Sequence, residues 1–236
     1  MSGRARGTLG DVSPTDVHPA AREGVTTVLF DLDGTISDSA GGILGSLRDA
    51  FAEHGIPWVG PDEERAILGP TLRVSLPPHV GEHRVEAVIA SYRRRYSGEK
   101  RMLDTAIYPG VTELLDSLVA RGCRLAVATS KPETSALEIV AHLGLADRFT
   151  TIAGDTLEGE RGTKALVVGE VLRRLGEPDR STVVMVGDRH HDVEGSRAHG
   201  VDCAGVLWGY GTPEELIGAG AWALCPTPAD VAALLA

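Results

Sequence analysis

The stretch Val28-Leu29-Phe30-Asp31-Leu32-Asp33-Gly34-Thr35 decides how this chain folds. A short apolar run, predicted as a strand over 25–31, ends in two carboxylates two residues apart. Because a strand alternates its side chains, Asp31 and Asp33 lie on the same side. Two such acids repel each other unless a cation binds them, and one oxygen would then remain free to attack an electrophile. Alone, the pattern also fits two solvated acids in an Asp-Gly turn.

Size and composition are those of an ordinary globular protein. The 236 residues, of which 42% are hydrophobic and 24% charged, suit one large domain or a core with an insert. The net charge of -10 argues against broad binding of nucleic acid or of anionic membranes. No apolar run is long enough to span a bilayer. We therefore expect no nucleic-acid or membrane partner, and a monomer or a homodimer.

The cysteines and the N-terminal segment bear on location. Cys123, Cys203 and Cys225 are widely separated and odd in number, which favours buried thiols in a reducing compartment. Residues 1–24 lack the apolar core of a signal peptide and are rich in Gly, Ser, Pro and Asp, so they are predicted to form a flexible tail. A cytoplasmic location is expected.

Strands alternate with helices along the rest of the chain. The strands are predicted at 25–31, 124–129, 149–153, 182–186 and, as the last one, 203–207. The helices are predicted at 41–54, 62–76, 82–97, after Pro109-Gly110, and at 133–143, 163–175 and 192–199. This order implies an α/β fold, a Rossmann-like parallel sheet flanked by helices. The core would comprise 25–37 and 106–236, with a small all-helical cap domain, 38–105, inserted after the first strand.

Polar side chains follow several of the predicted strands. Asp31, Asp33, Thr129 and Asp188 all fall where a strand ends. In parallel sheets ligands bind beyond the carboxyl ends of the strands. Polar groups from several strand ends therefore point to one crevice.

Four motifs in this order resemble the haloacid dehalogenase superfamily, over residues 25–224. They are Asp31-Leu32-Asp33-Gly34-Thr35, Thr129-Ser130-Lys131, Lys164 and Gly187-Asp188-Arg189-His190-His191-Asp192. The first and last motifs are specific, whereas the middle two are weak alone. The segments 68–73, 108–110 and 209–211 are similar to the phosphoglycolate phosphatase-like branch, which has a helical cap after the first strand.

The resemblance implies roles for the acids. Asp31 would be the nucleophile, forming an aspartyl-phosphate, and Asp33 the general acid/base. Phosphatase-type members of the superfamily have an Asp at this position, whereas dehalogenases lack it. The presence of Asp33 therefore argues against C–halogen chemistry. Asp31 and Asp188 would bind Mg²⁺ together with the backbone carbonyl of Asp33. Asp192 would act as a further ligand, orient metal-bound water or cap a helix.

The resemblance also implies phosphate-binding groups. Thr129 and the Ser130 N–H, near a helix N-terminus, would hold phosphoryl oxygens. Lys164 would neutralise the nucleophile and the transferring group, with Lys131 and Arg161 as rivals. The residues expected to bind phosphate and substrate are Gly34, Thr35, Thr129, Ser130, Lys164 and, from the cap, Arg73. Thr35 could hold Asp33 or only its own turn.

Other conspicuous residues are interpreted as structural. His190-His191 is expected to be exposed to solvent, because adjacent side chains point apart and no third His lies at ligand spacing. Arg93-Arg94-Arg95 is expected to form a solvated helix face. Trp58, Trp208 and Trp222 are expected to pack against the core.

Together these features predict a Mg²⁺-dependent phosphatase of small phosphomonoesters, with a small phosphorylated metabolite as its partner. The alternatives are a phosphosugar mutase of the same superfamily, a phosphotyrosine-type phosphatase, and a non-catalytic binding module. A cap of roughly seventy residues favours small substrates over proteins.

Overall fold

The structure is a computed structural model that describes residues 21–235. Most of the predicted N-terminal tail, residues 1–20, lies outside the described residues. Arg22 already contacts the core, where its Nη1 lies 2.7 Å from Oδ2 of Asp202 and its backbone N–H donates to the Leu234 carbonyl. No helix among the described residues has the length and apolar character that a bilayer crossing requires.

A six-stranded sheet forms the centre of the molecule, in the order β5-β4-β1-β6-β7-β8. All neighbouring strands are parallel. The strands are β1 Thr27–Phe30, β4 Arg124–Pro132, β5 Phe149–Asp155, β6 Val183–Gly187, β7 Asp202–Val206 and β8 Ala223–Cys225. The predicted fold class, a Rossmann-like parallel sheet, is confirmed.

Helices cover both faces of this sheet. They are α6 Val111–Ala120, α7 Glu133–His142, α8 Lys164–Arg174, α9 His190–Arg197, α10 Pro213–Ala219 and α11 Pro228–Leu234, with 3₁₀ turns at Ala146–Arg148 and Arg180–Thr182. Because β1 alternates its side chains, Phe30 packs into the hydrophobic cluster on one face and Leu29 into the cluster on the other. β1 is therefore buried on both sides.

All described elements between β1 and α6 belong to a two-stranded ribbon and a helical segment. β2 Ser37–Asp38 and β3 Ala106–Ile107 pair antiparallel, and the chain between them is helical. It contains α1 Ala40–Glu53, α2 Pro61–Ile67, α3 Leu72–Ser75, α4 Pro77–Val80, α5 Val85–Arg93, a π-helical turn Arg94–Gly98 and 3₁₀ turns at Glu82–Arg84 and Arg101–Leu103. We call this segment, residues 39–105, the cap.

Two element predictions are wrong. The helix predicted over 62–76 is interrupted at Gly69-Pro70, because Gly69 has φ +109° and proline cannot donate the helical hydrogen bond. The strand at 203–207 is not the last one, since β8 follows it at the edge of the sheet. A three-residue strand is too short to show a period, and α10 and α11 beside it were not predicted either.

Candidate active site

The order of the strands brings the predicted site residues to one edge. β1 lies between β4 and β6, and Phe30 is in register with Val127 on one side and Val186 on the other. Asp31 directly follows Phe30, and Thr129 and Asp188 each lie two residues beyond its partners Val127 and Val186. The three residues therefore lie on neighbouring segments at the same edge of the sheet. Asp31 is held there by its backbone N–H, which donates to the Val186 carbonyl at 2.9 Å.

Three buried carboxylates meet at this edge. Ligand oxygens of Asp31, Asp188 and Asp192 lie within 4.8 Å of one another. Lys164 enters from the first turn of α8, and its Nζ lies 2.7 Å from Oδ1 of Asp31 and 2.7 Å from Oδ1 of Asp192. The same ammonium donates to the Ala128 carbonyl at 3.0 Å. The cation selected from the sequence is thus in contact with the predicted nucleophile.

The charges of this cluster do not balance. The cluster holds three carboxylates and one ammonium, Lys164, which pairs with Asp31 and Asp192, and all four groups are buried. Burial raises the pKa of Asp31 to about 7, although the Lys164 ammonium acts in the opposite direction. Burial and the neighbouring Asp192 raise the pKa of Asp188 well above its ordinary value. An all-oxygen donor set with excess negative charge suits a hard divalent cation such as Mg²⁺.

Hydrogen bonds and close packing fix the Asp188 carboxylate. Thr35 Oγ1 donates to its Oδ1 at 3.1 Å, and the Tyr210 N–H donates to its Oδ2 at 2.7 Å. Gly34 and Gly209 pack so closely that a Cβ on either would lie within 2.5 Å of Asp188 side-chain atoms. Thr35 therefore holds Asp188, and not Asp33, in place. The role of Tyr210 has no signal in the sequence, because the contact uses its backbone.

The side chain of Asp33 lies outside this carboxylate cluster. Its Oδ2 is 2.9 Å from the Lys131 Nζ, and its Oδ1 accepts a hydrogen bond from the Ser39 hydroxyl. Lys131 also donates to the Tyr96 hydroxyl at 2.6 Å and lies 4.6 Å from the centre of that ring. The two lysines thus pair with different acids: Lys164 pairs with Asp31, and Lys131 pairs with Asp33. Sequence reasoning missed Ser39 and Tyr96, which come from the cap.

Two of the phosphate-binding candidates, Thr129 and Ser130, lie on β4. Thr129 is buried, and its Oγ1 accepts from the Lys131 N–H at 3.2 Å, which leaves its own hydrogen free to donate. The helix N-terminus expected beside Ser130 lies further along, because β4 continues to Pro132 and α7 begins at Glu133. Arg161 lies 3.0 Å from Oε2 of Glu133, which removes it as a rival of Lys164.

Arg189 joins the last motif to the cap and was not identified from the sequence. Its Nε donates to Oε1 of Glu215 at 2.8 Å. Its Nη1 donates to the carbonyls of Arg65, at 3.2 Å, and Leu68, at the end of α2. The guanidinium thus spans from α10 to the cap.

The neighbouring histidines differ from expectation. The rings of His190 and His191 do not point apart, because their centres are 3.7 Å apart. Both side chains are half-buried, and His190 Nδ1 lies 2.7 Å from Oε1 of Glu215. Glu215 therefore binds two consecutive residues of the last motif.

Other predicted residues lie at the rim or in the core. Arg73 lines the cavity under the cap, and its Nε donates to Oε1 of Glu86 at 2.7 Å. Within Arg93-Arg94-Arg95, Arg94 and Arg95 both pair with Glu53. The three tryptophans pack against the hydrophobic core as predicted: Trp58, Trp208 and Trp222.

A Rossmann-like sheet with an acidic cluster at its carboxyl edge and a helical cap above it defines a capped α/β fold. The chain belongs to the haloacid dehalogenase-like hydrolases, whose family model matches residues 28–206. The predicted superfamily and its phosphoglycolate phosphatase-like branch are confirmed by the relatives.

Several known proteins are similar to this chain. The tyrosine-protein kinase PtkA of Mycobacterium tuberculosis is 43% identical over 78% of this chain, which spans only 62% of that relative's length. A 5'-nucleotidase of Pseudomonas aeruginosa is 37% identical, covering 80% of this chain and 86% of the relative. A phosphoglycolate phosphatase of Agrobacterium fabrum is 33% identical, covering 77% and 80%. The crystal structure of a predicted phosphatase from Clostridium acetobutylicum superposes with a TM-score of 0.84 at 33% identity, covering 88% and 96%.

Proposed function

We propose that this chain is a Mg²⁺-dependent phosphatase that hydrolyses small phosphomonoesters through an aspartyl-phosphate. The observation that carries the proposal is the pairing of Asp31 with Lys164 at 2.7 Å beside Asp188 and Asp192. A carboxylate so placed is oriented by the ammonium and faces the cavity under the cap. The phosphatase names of the relatives from Pseudomonas aeruginosa and Agrobacterium fabrum support the same chemistry.

The side chains divide the reaction between them. An oxygen of Asp31 attacks phosphorus, the bond to the leaving oxygen breaks, and Asp33 gives that oxygen a proton. Asp33 then takes a proton from water, whose oxygen attacks phosphorus and releases phosphate from Asp31. Thr129, the Ser130 N–H and Lys164 hold the phosphoryl oxygens. Lys131, whose Nζ lies 2.9 Å from Oδ2 of Asp33, holds that side chain in position for both steps.

The carboxylates of Asp31, Asp188 and Asp192, with the backbone carbonyl of Asp33, would hold Mg²⁺. When bound, Mg²⁺ offsets the repulsion between the nucleophile and an anionic phosphoryl group. Gly34 and Thr35 contribute by fixing Asp188, and Arg73 lines the cavity that would receive the leaving group. The buried, unpaired cysteines accord with the cytoplasmic location that we propose.

Substitution of the nucleophile tests the proposal. Asp31→Asn keeps the size of the side chain but removes the attacking oxygen, so Mg²⁺-dependent release of phosphate from 4-nitrophenyl phosphate should fall by about three orders of magnitude or more. Asp116→Asn, on the exposed surface of α6, is the matched control and should retain activity. Unchanged turnover by the Asp31→Asn variant would contradict the proposal.

Activity on phosphotyrosine is the second candidate, because the mycobacterial relative is named a tyrosine-protein kinase. Turnover of phosphotyrosyl peptides well above that of small phosphomonoesters would favour it. Isomerisation of a sugar phosphate without net release of phosphate would instead favour the mutase. A chain that binds phosphomonoesters without hydrolysing them would be the non-catalytic module.

A further inference from the structure

The cavity between the cap and the sheet has a volume of about 410 Å³. Asp31, Asp33 and Thr129 lie at its floor, so a leaving group would occupy the remaining space under the cap. Cavities of this size bind ligands of roughly nucleoside or drug size. A two-carbon leaving group would leave most of it unfilled.

The walls of this cavity are largely apolar. Side chains from the cap that line it are at most 8% exposed: Ile43, Ile67, Leu68, Ile89, Tyr92 and Met102. Tyr92 also stacks on Tyr96, with ring centres 4.9 Å apart and planes 16° from parallel. Apolar and aromatic walls stabilise a leaving group that presents apolar, ring-shaped surface.

The basic side chains that line the cavity, within the described part of the chain, all have partners. Lys131 is 2.9 Å from Asp33, and Lys100 is 2.6 Å from Glu138. Arg93 donates to the Leu157 carbonyl at 3.0 Å. Since Asp33 and Glu138 also line the cavity, these cations do not give it a positive charge.

Arg73 is the cation best placed to meet a negatively charged leaving group, and Glu86 binds it. Arg73 Nε donates to Oε1 of Glu86 at 2.7 Å, and Nη2 donates to Oε2 at 3.1 Å. This bidentate arrangement occupies one edge of the guanidinium. A carboxylate entering the cavity would have to displace Glu86 or share the guanidinium with it, and the negative charge of Glu86 beside the remaining N–H groups would repel it.

We propose that the cavity accepts a neutral leaving group with apolar, ring-shaped surface, and that the pairing of Glu86 with Arg73 excludes leaving groups that carry a carboxylate. This inference rests on the proposed phosphatase activity and selects among its substrates. It favours esters of neutral aromatic alcohols or nucleosides over short phosphorylated carboxylic acids.

A matched pair of esters tests the inference on the full chain with Mg²⁺. The value of kcat/KM should be about tenfold higher for phenyl phosphate than for 4-carboxyphenyl phosphate, a difference of about 1.4 kcal/mol. Chemical reactivity does not explain such an order, because the carboxyl substituent makes the phenol a slightly better leaving group. Phosphoglycolate should also be a poorer substrate than phenyl phosphate.

Variants of the ion pair then test the role of Glu86. Glu86→Gln frees Arg73, so kcat/KM for the carboxylated ester should rise three- to tenfold while that for phenyl phosphate changes less than twofold. Adding Arg73→Ala to this variant should abolish the gain. Glu82→Gln, which removes an exposed acid elsewhere in the cap, is the matched control and should leave the ratio unchanged.

Three outcomes would overturn the inference. The first is equal or faster turnover of the carboxylated ester by the unmodified chain. The second is an equal change in the Glu82→Gln and Glu86→Gln variants, which would reflect only net charge. The third is failure to hydrolyse any ester, which overturns the proposed function as well, whereas the first two leave it intact.

Discussion

Gly34 shows how a single residue without a side chain supports the carboxylate cluster. Its φ is +88°, and a Cβ would lie 2.4 Å from Oδ2 of Asp188. A larger residue therefore strains the backbone and pushes away the carboxylate that Thr35 and Tyr210 hold. The glycine is needed for backbone conformation and for space at once.

We expect Gly34→Ala to lower the affinity for Mg²⁺ by about 10- to 100-fold and the free energy of unfolding by about 1–3 kcal/mol. Gly45→Ala, within α1, is the control: no atom lies within 4 Å of its added Cβ, so it should stabilise the fold by about 0.5–1 kcal/mol. Urea unfolding and Mg²⁺ titration of phosphate release measure both effects. Unaltered Mg²⁺ affinity in Gly34→Ala would refute this role.

At the residue scale, motif spacing and strand ends predicted which acids and cations converge. The pairing of Asp31 with Lys164 followed from the motifs, although the two residues are far apart in the chain. The contact between Lys131 and Tyr96 could not be predicted, because it exists only once the cap has packed over β4. Tyr96 itself reads from the sequence as one more apolar position in a helix.

Among the elements, α2 and the loop after β6 are joined through one side chain. Arg189 donates to the Arg65 and Leu68 carbonyls, at the end of α2, while Glu215 holds its Nε. Carbonyls at the end of a helix lack intrahelical partners, so a guanidinium there satisfies them and opposes the negative end of the helix dipole. The position of the cap thus depends on the loop that carries Asp188.

We expect Arg189→Ala to raise KM about tenfold and to speed hydrogen exchange in residues 61–76, since bonds to a charged group contribute about 1.5–3 kcal/mol. Arg189→Lys should not restore the parent values, because one ammonium cannot reach both the cap carbonyls and Glu215. Arg197→Ala, at the end of α9 and bonded to the Ala219 carbonyl, is the control. Equal exchange in Arg189→Ala and Arg197→Ala would contradict the proposed connection.

Long, strongly patterned elements were predicted well, and short ones were not. The apolar run of β1 and the periodic apolar positions of α6 predict these two elements without any knowledge of tertiary contacts. By contrast, β8 has three residues and is defined by its pairing with β7. Gly69-Pro70, two residues that disfavour helix, interrupts the helix predicted over 62–76.

The net negative charge of the whole molecule and its buried carboxylates both favour the binding of cations. The net charge is -10, and two of the three clustered acids pair with a single ammonium, that of Lys164. We expect such a chain to attract divalent cations and to gain stability when one binds. Anionic substrates must then rely on the local donors of the site.

We expect Mg²⁺ to raise the melting temperature, by an amount equivalent to about 2.7 kcal/mol at one hundred times its dissociation constant. NaCl at the same ionic strength should not reproduce the shift. Asp188→Asn should abolish it, whereas Asp62→Asn, exposed on α2, should preserve it. A shift that persists in Asp188→Asn would place the bound ion elsewhere.

The ribbon of β2 and β3 has a consequence for how such enzymes diversify. Ser37 faces Ile107 and Asp38 faces Ala106, so the chain leaves the sheet and returns to it at neighbouring points. Any insert whose ends can meet at that separation could be grafted there without disturbing the strands beneath. Asp31, the proposed nucleophile, and the acids around it belong to the scaffold, while the apolar walls of the cavity belong to the insert. Exchange of the cap for another insert would therefore change the preferred leaving alcohol and leave the phosphoryl transfer unchanged.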